Sequence, residues 1–209
     1  MTSSTPSPRA TIYRFEIRLR DIEPLIWRMI EIPASASFWE LHVAIQDAMG
    51  WLDYHLHEFS VPLSPAGQPF KIGIPDDEFR DDVLAGWEEP IALYFRTPGN
   101  RATYWYDFGD DWRHDVVLAA VEPRAKGTKY PRCIAGARAC PPEDCGGPPG
   151  YFDLLHALAD PSHPERGALL EWLGTDGPGG RPYDPEAFDP ARLRFSNAAR
   201  RLRRLLEGQ

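Results

Sequence analysis

"TIYRFEIRLRDIEPLIWRMIEIPASASFWELHVAIQDAMGW" (11–51) decides the fold. In its first third Ile12, Tyr13, Phe15, Ile17 and Leu19 are apolar, with Arg14, Glu16, Arg18 and Arg20 set between most of them. A period of two marks a strand with one wet face. "DIEP" is a turn and "LIWRMIEIP" a second strand, so residues 12–20 and 25–32 are expected to pair as an antiparallel hairpin. The period then changes: Phe38, Leu41, Ile45 and Met49 recur at helical spacing after Ser35 or Ser37 as N-cap, and Gly50 suits the helix end. This predicts a helix over 37–49 lying across the sheet, because the apolar strand face must be covered.

Working outward, "HLHEFSV", "PIALYFR", "ATYWYDF" and "HDVVLAAVEP" read as further strands, the last two joined through "GDDWR"; "GIPDDEFRDDV" reads as an acidic turn. The order β-β-α-β-β-β-β is an α+β mixed sheet with a helix on one face, since a doubly wound sheet needs more helices between its strands. Composition shifts at Pro123: twelve of the 22 prolines and ten of the 17 glycines lie between there and Pro190. Helices are expected in "GYFDLLHALAD" and "HPERGALLEWLG", a loop in "TDGPGGRPYDPEAFDP", and a last helix in "ARLRFSNAARRLRRLLEG". The organisation is therefore a frayed Ser/Thr/Pro-rich start (1–10), a sheet core (11–122), and Pro/Gly-rich loops and helices packed on it (123–209).

The net charge of −8 over 209 residues argues against nucleic-acid binding by the whole surface. The charge is uneven. Residues 191–209 hold six Arg and one Glu, and the preceding 190 residues carry −13. No apolar run reaches membrane-span length, the N-terminus has no signal-like apolar core, and three cysteines fit a disulfide framework poorly, so a reducing cytoplasm is the expected compartment.

Four groups of residues carry candidate chemistry. In "HLHEF", His55 and His57 stand two apart, which in a strand puts both on one face, fit for a metal, for acid–base work, or simply for hydrogen bonding within the strand face. "YDFGDDWRHD" supplies Asp107, Asp110, Asp111, Asp115 and His114, oxygen donors for a divalent cation or the Asp/Gly chemistry of a hairpin turn. Cys133, Cys140 and Cys145 follow C-x6-C-x4-C in a Pro/Gly-rich segment expected to form neither helix nor regular strand. Three readings stay open there: buried thiols in a structural strap, a zinc site with Cys133 and Cys140 foremost and His114 as partner, or a disulfide. The last helix sets Phe195, Ala198, Ala199, Leu202, Leu205 and Leu206 against Arg200, Arg201, Arg203 and Arg204, either a docked terminal helix or a phosphate-contacting one. Gly146, Gly147 and Gly150 precede a helix, but no Lys follows and Glu143 and Asp144 repel phosphate, so no nucleotide cofactor is expected.

"PLIWR" (24–28), "WLDYHLHEF" (51–59), "YDFGDDWRHDV" (106–116) and "YPRCIAGARACPPEDCGGPPGY" (130–151) together resemble the plasmid open-reading-frame-three-like family, whose members are labelled insertion-element passenger or TnpR resolvase-like proteins. The resemblance covers roughly residues 11–173 and implies a compact cytoplasmic α+β protein with no established activity. The resolvase label meets a chemical objection. A serine recombinase needs a nucleophilic Ser near its first strand, and no Ser occurs between Thr11 and Ala34. The leading expectation is a non-enzymatic binding or accessory protein with a protein or nucleic-acid partner, associated through the resemblance with mobile elements or DNA. The alternative is a metal-dependent hydrolase using His55, His57, His114 and nearby acids around an open metal position.

Overall fold

The computed structural model describes residues 10–62, 67–75, 82–174 and 183–208. Nearly all of the expected frayed N-terminus, the middle of the acidic turn and residues 175–182 of the expected loop lie outside them. The elements are β1 (Thr11–Leu19), β2 (Trp27–Pro33), α1 (Phe38–Met49), β3 (His57–Val61), β4 (Phe70–Gly73), β5 (Val83–Ala85), β6 (Arg101–Tyr106), β7 (Trp112–Pro123), β8 (Arg132–Ala137), α2 (Gly147–Ala159), α3 (Arg166–Leu173) and α4 (Ala198–Glu207). The strands form one mixed sheet in the order β5-β4-β3-β6-β7-β1-β2-β8, antiparallel except for the β4–β5 pair. The α+β reading holds.

The opening hairpin pairs as its alternation requires, Phe15 opposite Ile30 and Ile17 opposite Arg28. Phe15, Ile17, Leu19 and Ile30 are buried on the core face with Phe59, Tyr104, Val116 and Leu118. The other face of β1 carries charge: Arg14 bridges Glu31 at 2.8 Å and Glu122 at 3.0 Å. Burial alone would raise the Glu31 carboxyl, but Arg14 and Arg132 outweigh it and hold Glu31 below the usual range. One dry face and one wet face explain the period of two.

Helix α1 begins at Ser37 with a full capping box: Ser37 Oγ accepts from Glu40 N, and Glu40 accepts from Ser37 N at 2.9 Å. Such a cap is worth about 1 kcal/mol. Gly50 ends the helix at φ +97°. Leu41, Ala44, Ile45 and Ala48 pack into the core cluster.

Four local expectations are corrected. "PIALYFR" is not a strand but a 3-10 turn at Ile91–Leu93, because its buried residues Ile91 and Phe95 stand four apart and the Phe95 N–H returns to the Ile91 carbonyl. Gly73 and Val83, the ends of the expected acidic turn, lie in the short strands β4 and β5, which pair in parallel. Arg132–Ala137, expected to be irregular, is a strand on β2. Gly136 carries that pairing, since a Cβ there would lie 2.6 Å from the Phe188 ring and 2.7 Å from the Trp27 carbonyl. The last helix starts only at Ala198, where the Asn197 side chain caps Arg200 N at 2.9 Å; Pro190–Arg192 forms a separate 3-10 turn. Among the described residues no helix is long and apolar enough to cross a membrane.

Candidate functional site

Three loops that are distant in sequence meet beside the β6–β7 hairpin. After α1, buried Trp51 stacks on Tyr106 (5.0 Å) and donates Nε1–H to the Pro141 carbonyl at 3.0 Å. Leu52 N and the Tyr106 hydroxyl donate to Glu143 Oε1 at 2.7 and 3.1 Å. Burial raises Glu143 above the usual carboxylate range, and burial together with the Glu143 charge raises the Tyr106 phenol. In the 107–111 turn Asp107 Oδ1 accepts from Gly109 N at 3.0 Å and Asp110 N at 3.3 Å. Asp110 Oδ2 accepts from Gly146 N at 3.1 Å. Gly147 sits at φ +68°, and a Cβ on it would stand 2.3 Å from the Asp110 carbonyl oxygen, so only glycine permits this approach.

Where the loops meet, His55 Nε2 lies 2.9 Å from Asp144 Oδ1 and 3.4 Å from Asp107 Oδ2. Asp107 spends one oxygen on its own turn and turns the other to His55. Asp111 faces away and pairs with Arg113 at 2.8 Å. Leu52, Tyr54 and Leu56, on the same loop as His55, are 56%, 71% and 44% exposed.

A second cluster lies inside. His42, on α1, places Nδ1 2.9 Å from the Tyr104 hydroxyl and Nε2 2.9 Å from Asp53 Oδ1. Gln46, one turn on, donates Nε2–H to the same hydroxyl at 2.9 Å. With that amide donating, the phenol O–H is free to donate to His42 Nδ1, which leaves Nε2–H for Asp53. The His57 ring stacks on His42 with centroids 3.5 Å apart and planes 6° apart. So His55 and His57, expected to share a face, part: His55 precedes β3 and joins the surface cluster, while His57 enters the interior.

Among the described residues, the groups of three His, Cys, Asp or Glu with donor atoms all within 4.8 Å are His42–Asp53–His57 and His55–Asp107–Asp144. Neither contains a cysteine or His114. Cys133 is buried on β8 and donates its thiol hydrogen to the Ala135 carbonyl at 3.2 Å; Cys140 is buried in the core; Cys145 is half-buried beside the glycine pair. Burial raises all three thiols, Cys145 to about 12. His114, fully buried against the edge of Trp51, sets Nδ1 3.3 Å from the Tyr104 carbonyl, and burial lowers its pKa to about 3.

Helix α4 docks on α1 through Ala198, Leu202 and Leu205, which pack against Trp39 and Val43. Trp39 Nε1 donates to the Ala198 carbonyl at 2.8 Å, and Asp47 Oδ2 accepts from Ser196 N at 2.7 Å. Arg201 turns inward to Asp47 (3.3 Å) and Asp53 (3.9 Å). Arg200, Arg203 and Arg204 are exposed.

The profile of the plasmid pRiA4b ORF-3-like family matches residues 11–192. The chain belongs to this family. It is 34% identical over 167 residues to an uncharacterized protein, y4hQ, of Sinorhizobium fredii (strain NBRC 101917 / NGR234), covering 79% of this chain and 82% of that one. It is also similar to the crystal structure of a protein of unknown function, MM3350, from Methanosarcina mazei Go1. That match has a TM-score of 0.79 and 39% identity, over 88% of this chain and 98% of the other. Both clusters and the loops that build the surface one fall inside the family segment; α4 follows it.

His42, Asp53 and Tyr104 were not singled out by the sequence, and Glu143 and Asp144 stood out only as charges that repel phosphate. A signal was present for His42: Trp39, His42 and Gln46 form a polar-edged stripe beside the apolar stripe of α1, and such a stripe, once buried, must find partners.

Proposed function

We propose that this protein is a non-enzymatic binding protein whose recognition surface is the ridge Leu52–Leu56 with the adjoining Asp107 and Asp144. The carrying observation is rigid exposure. Large apolar side chains at Leu52, Tyr54 and Leu56 are held outward by a loop whose Leu52 N–H is tied to Glu143 and whose Trp51 indole is tied to the Pro141 carbonyl. A fixed apolar ridge loses little conformational freedom on binding, and Tyr is a favoured anchor at interfaces. The neighbouring carboxylates select the partner's charge: a basic, amphipathic protein segment. The hydrolase reading has less support, since His55, His57 and His114 face three different surroundings. The test is a fluorescence titration of the full chain with a basic amphipathic peptide and an acidic peptide of the same apolar pattern. Saturable binding of the basic peptide alone, lost in Tyr54→Ser and Asp144→Lys, is expected. Equal binding of both peptides, or undiminished binding by Tyr54→Ser, sinks the reading.

A second reading, association with DNA and through it with insertion elements, is favoured by one observation: Arg200, Arg203 and Arg204 form an exposed basic face. Phosphate contacts weaken steeply with salt. Anisotropy of labelled duplex DNA across a salt series tests it; no salt-sensitive complex forming at low ionic strength removes it.

A further inference from the structure

We propose that His42, His57 and Asp53 constitute a transition-metal site that docked α4 keeps closed. Two imidazoles and one carboxylate, with donor atoms within 4.8 Å of one another, are a donor set for zinc, cobalt or ferrous iron rather than for the hard cations calcium and magnesium.

The surroundings of His42 are those of a metal ligand. Such a histidine needs an oxygen to accept its other ring N–H, and Tyr104 Oη stands 2.9 Å from Nδ1. If a metal takes Nε2, Nδ1–H donates to Tyr104, and the phenol hydrogen then needs an acceptor. Gln46 Oε1 supplies it: this buried oxygen has no partner while the amide nitrogen faces the phenol, and turning the amide over aims it there. The Tyr104 phenol hydrogen thus has an acceptor in both wirings, His42 Nδ1 with the proton on Nε2 and Gln46 Oε1 with a metal there.

The closed form is not itself a coordination sphere. Imidazole lone pairs lie in the ring plane, so parallel rings stacked 3.5 Å apart send theirs side by side rather than toward one point. One ring has to turn out of the stack. Trp39 prevents this, lying 5.1 Å from His42 and 6.0 Å from His57, and Trp39 is pinned by the Ala198 carbonyl and by Leu202 and Leu205 of α4. The positive charge a metal would bring to Asp53 comes instead from Arg201, 3.9 Å away. Metal binding and α4 docking therefore compete for Asp53 and for the space under Trp39. By linkage, whatever loosens α4 tightens the metal, and the reverse.

The test uses the full chain, stripped with a chelator and titrated with Co²⁺, read by the visible absorption of nitrogen-ligated cobalt and by trypsin cleavage within Arg200–Arg204. Wild type is expected to take one Co²⁺ per chain, with faster cleavage of α4 on saturation. Arg201→Gln binds at least about fivefold more tightly, the low end of ordinary coupling between sites. His57→Gln and Asp53→Asn weaken binding at least about tenfold, one lost metal ligand costing no less than a supporting residue does. His55→Gln binds as wild type does. Asp53→Asn, at a partly exposed position, serves if His57→Gln fails to fold by circular dichroism. Three results overturn the proposal: no saturable binding in wild type and Arg201→Gln, undiminished binding in the folded His57 or Asp53 variant, or binding lost in His55→Gln.

Discussion

The guanidinium of Arg28 donates Nε–H to the Ala48 carbonyl at 2.8 Å, so a β2 side chain closes the last turn of α1. Helix ends leave carbonyls without intrahelical partners, and α1 has no basic residue in its last turn. Arg28 also donates to the carbonyls of Trp27 and Ala137 at 2.8 and 2.9 Å and lies 4.0 Å from the centroid of the Phe188 ring. It is 1% exposed, and burial lowers its pKa. One side chain therefore ties β2, α1, β8 and the 183–192 segment together. Arg28→Leu is expected to cost about 3 kcal/mol, the scale for stranding buried acceptors. Arg28→Lys, which lacks the fork, should lose about 2 kcal/mol. Urea midpoints measure both; a loss under about 1 kcal/mol for Arg28→Leu would contradict this role.

His114 makes the fold acid-sensitive. Burial holds its folded pKa at about 3, against 6.5 ordinarily. Below the ordinary value the unfolded chain takes a proton that the folded chain refuses, so stability falls as pH drops from about 6.5 toward about 3. Between pH 7 and pH 5 this one group should cost about 2 kcal/mol. Glu31 adds a loss at lower pH, since its carboxylate is favoured in the fold and that gain disappears as pH falls through its lowered value. Denaturation at pH 7 and pH 5 of wild type and His114→Phe isolates the first effect. Equal losses in the two proteins would refute it.

Gly147→Ala tests the joint between the surface loops. The added methyl meets the Asp110 carbonyl at a φ that alanine rarely adopts, and the combined cost is expected at about 3 kcal/mol. Amide exchange should quicken first at Leu52 and Gly146, whose N–H groups are held by Glu143 and Asp110. A variant as stable as wild type would mean that the loops are not locked by this approach.

The thiols should be slow to react. Cys145, the most accessible of the three, has its pKa pushed up to about 12 by burial, with Asp110 adding to it. Alkylation needs thiolate, so at pH 8 the native rate should be about a thousandfold below that of an unfolded thiol. Metal ligation also needs thiolate, so the same measurement bears on zinc at Cys133, Cys140 and Cys145. Rapid native labelling of Cys145 would contradict the expectation.

The hairpin, α1, β3 and the β6–β7 pair were legible because each carries its period within a dozen residues. Strand β8 was not, because what makes it a strand is the ring of Phe188 over Gly136 and the ladder to β2, both far away in sequence. The same limit applies to the sites. His55 and Asp107 stood out by residue type, but Asp144 reaches them only through the Gly147–Asp110 approach, which no spacing encodes. His42 was hidden by its position on a helix that reads as apolar packing.

Strand β1 has β2 on one side and β7 on the other, with Thr11 opposite Pro123. A ribosome delivers the first partner almost at once and the second only after about a hundred further residues. At ordinary synthesis rates of roughly 5–20 residues per second that interval is on the order of ten seconds. For that time a hairpin formed by β1 and β2 leaves β1 with a bare row of amides and carbonyls on the side that β7 later takes. A strand with neighbours on both sides in the mature sheet is thus the rim of the growing one, and the edge at residues 11–19 stands open at that stage and at no later one.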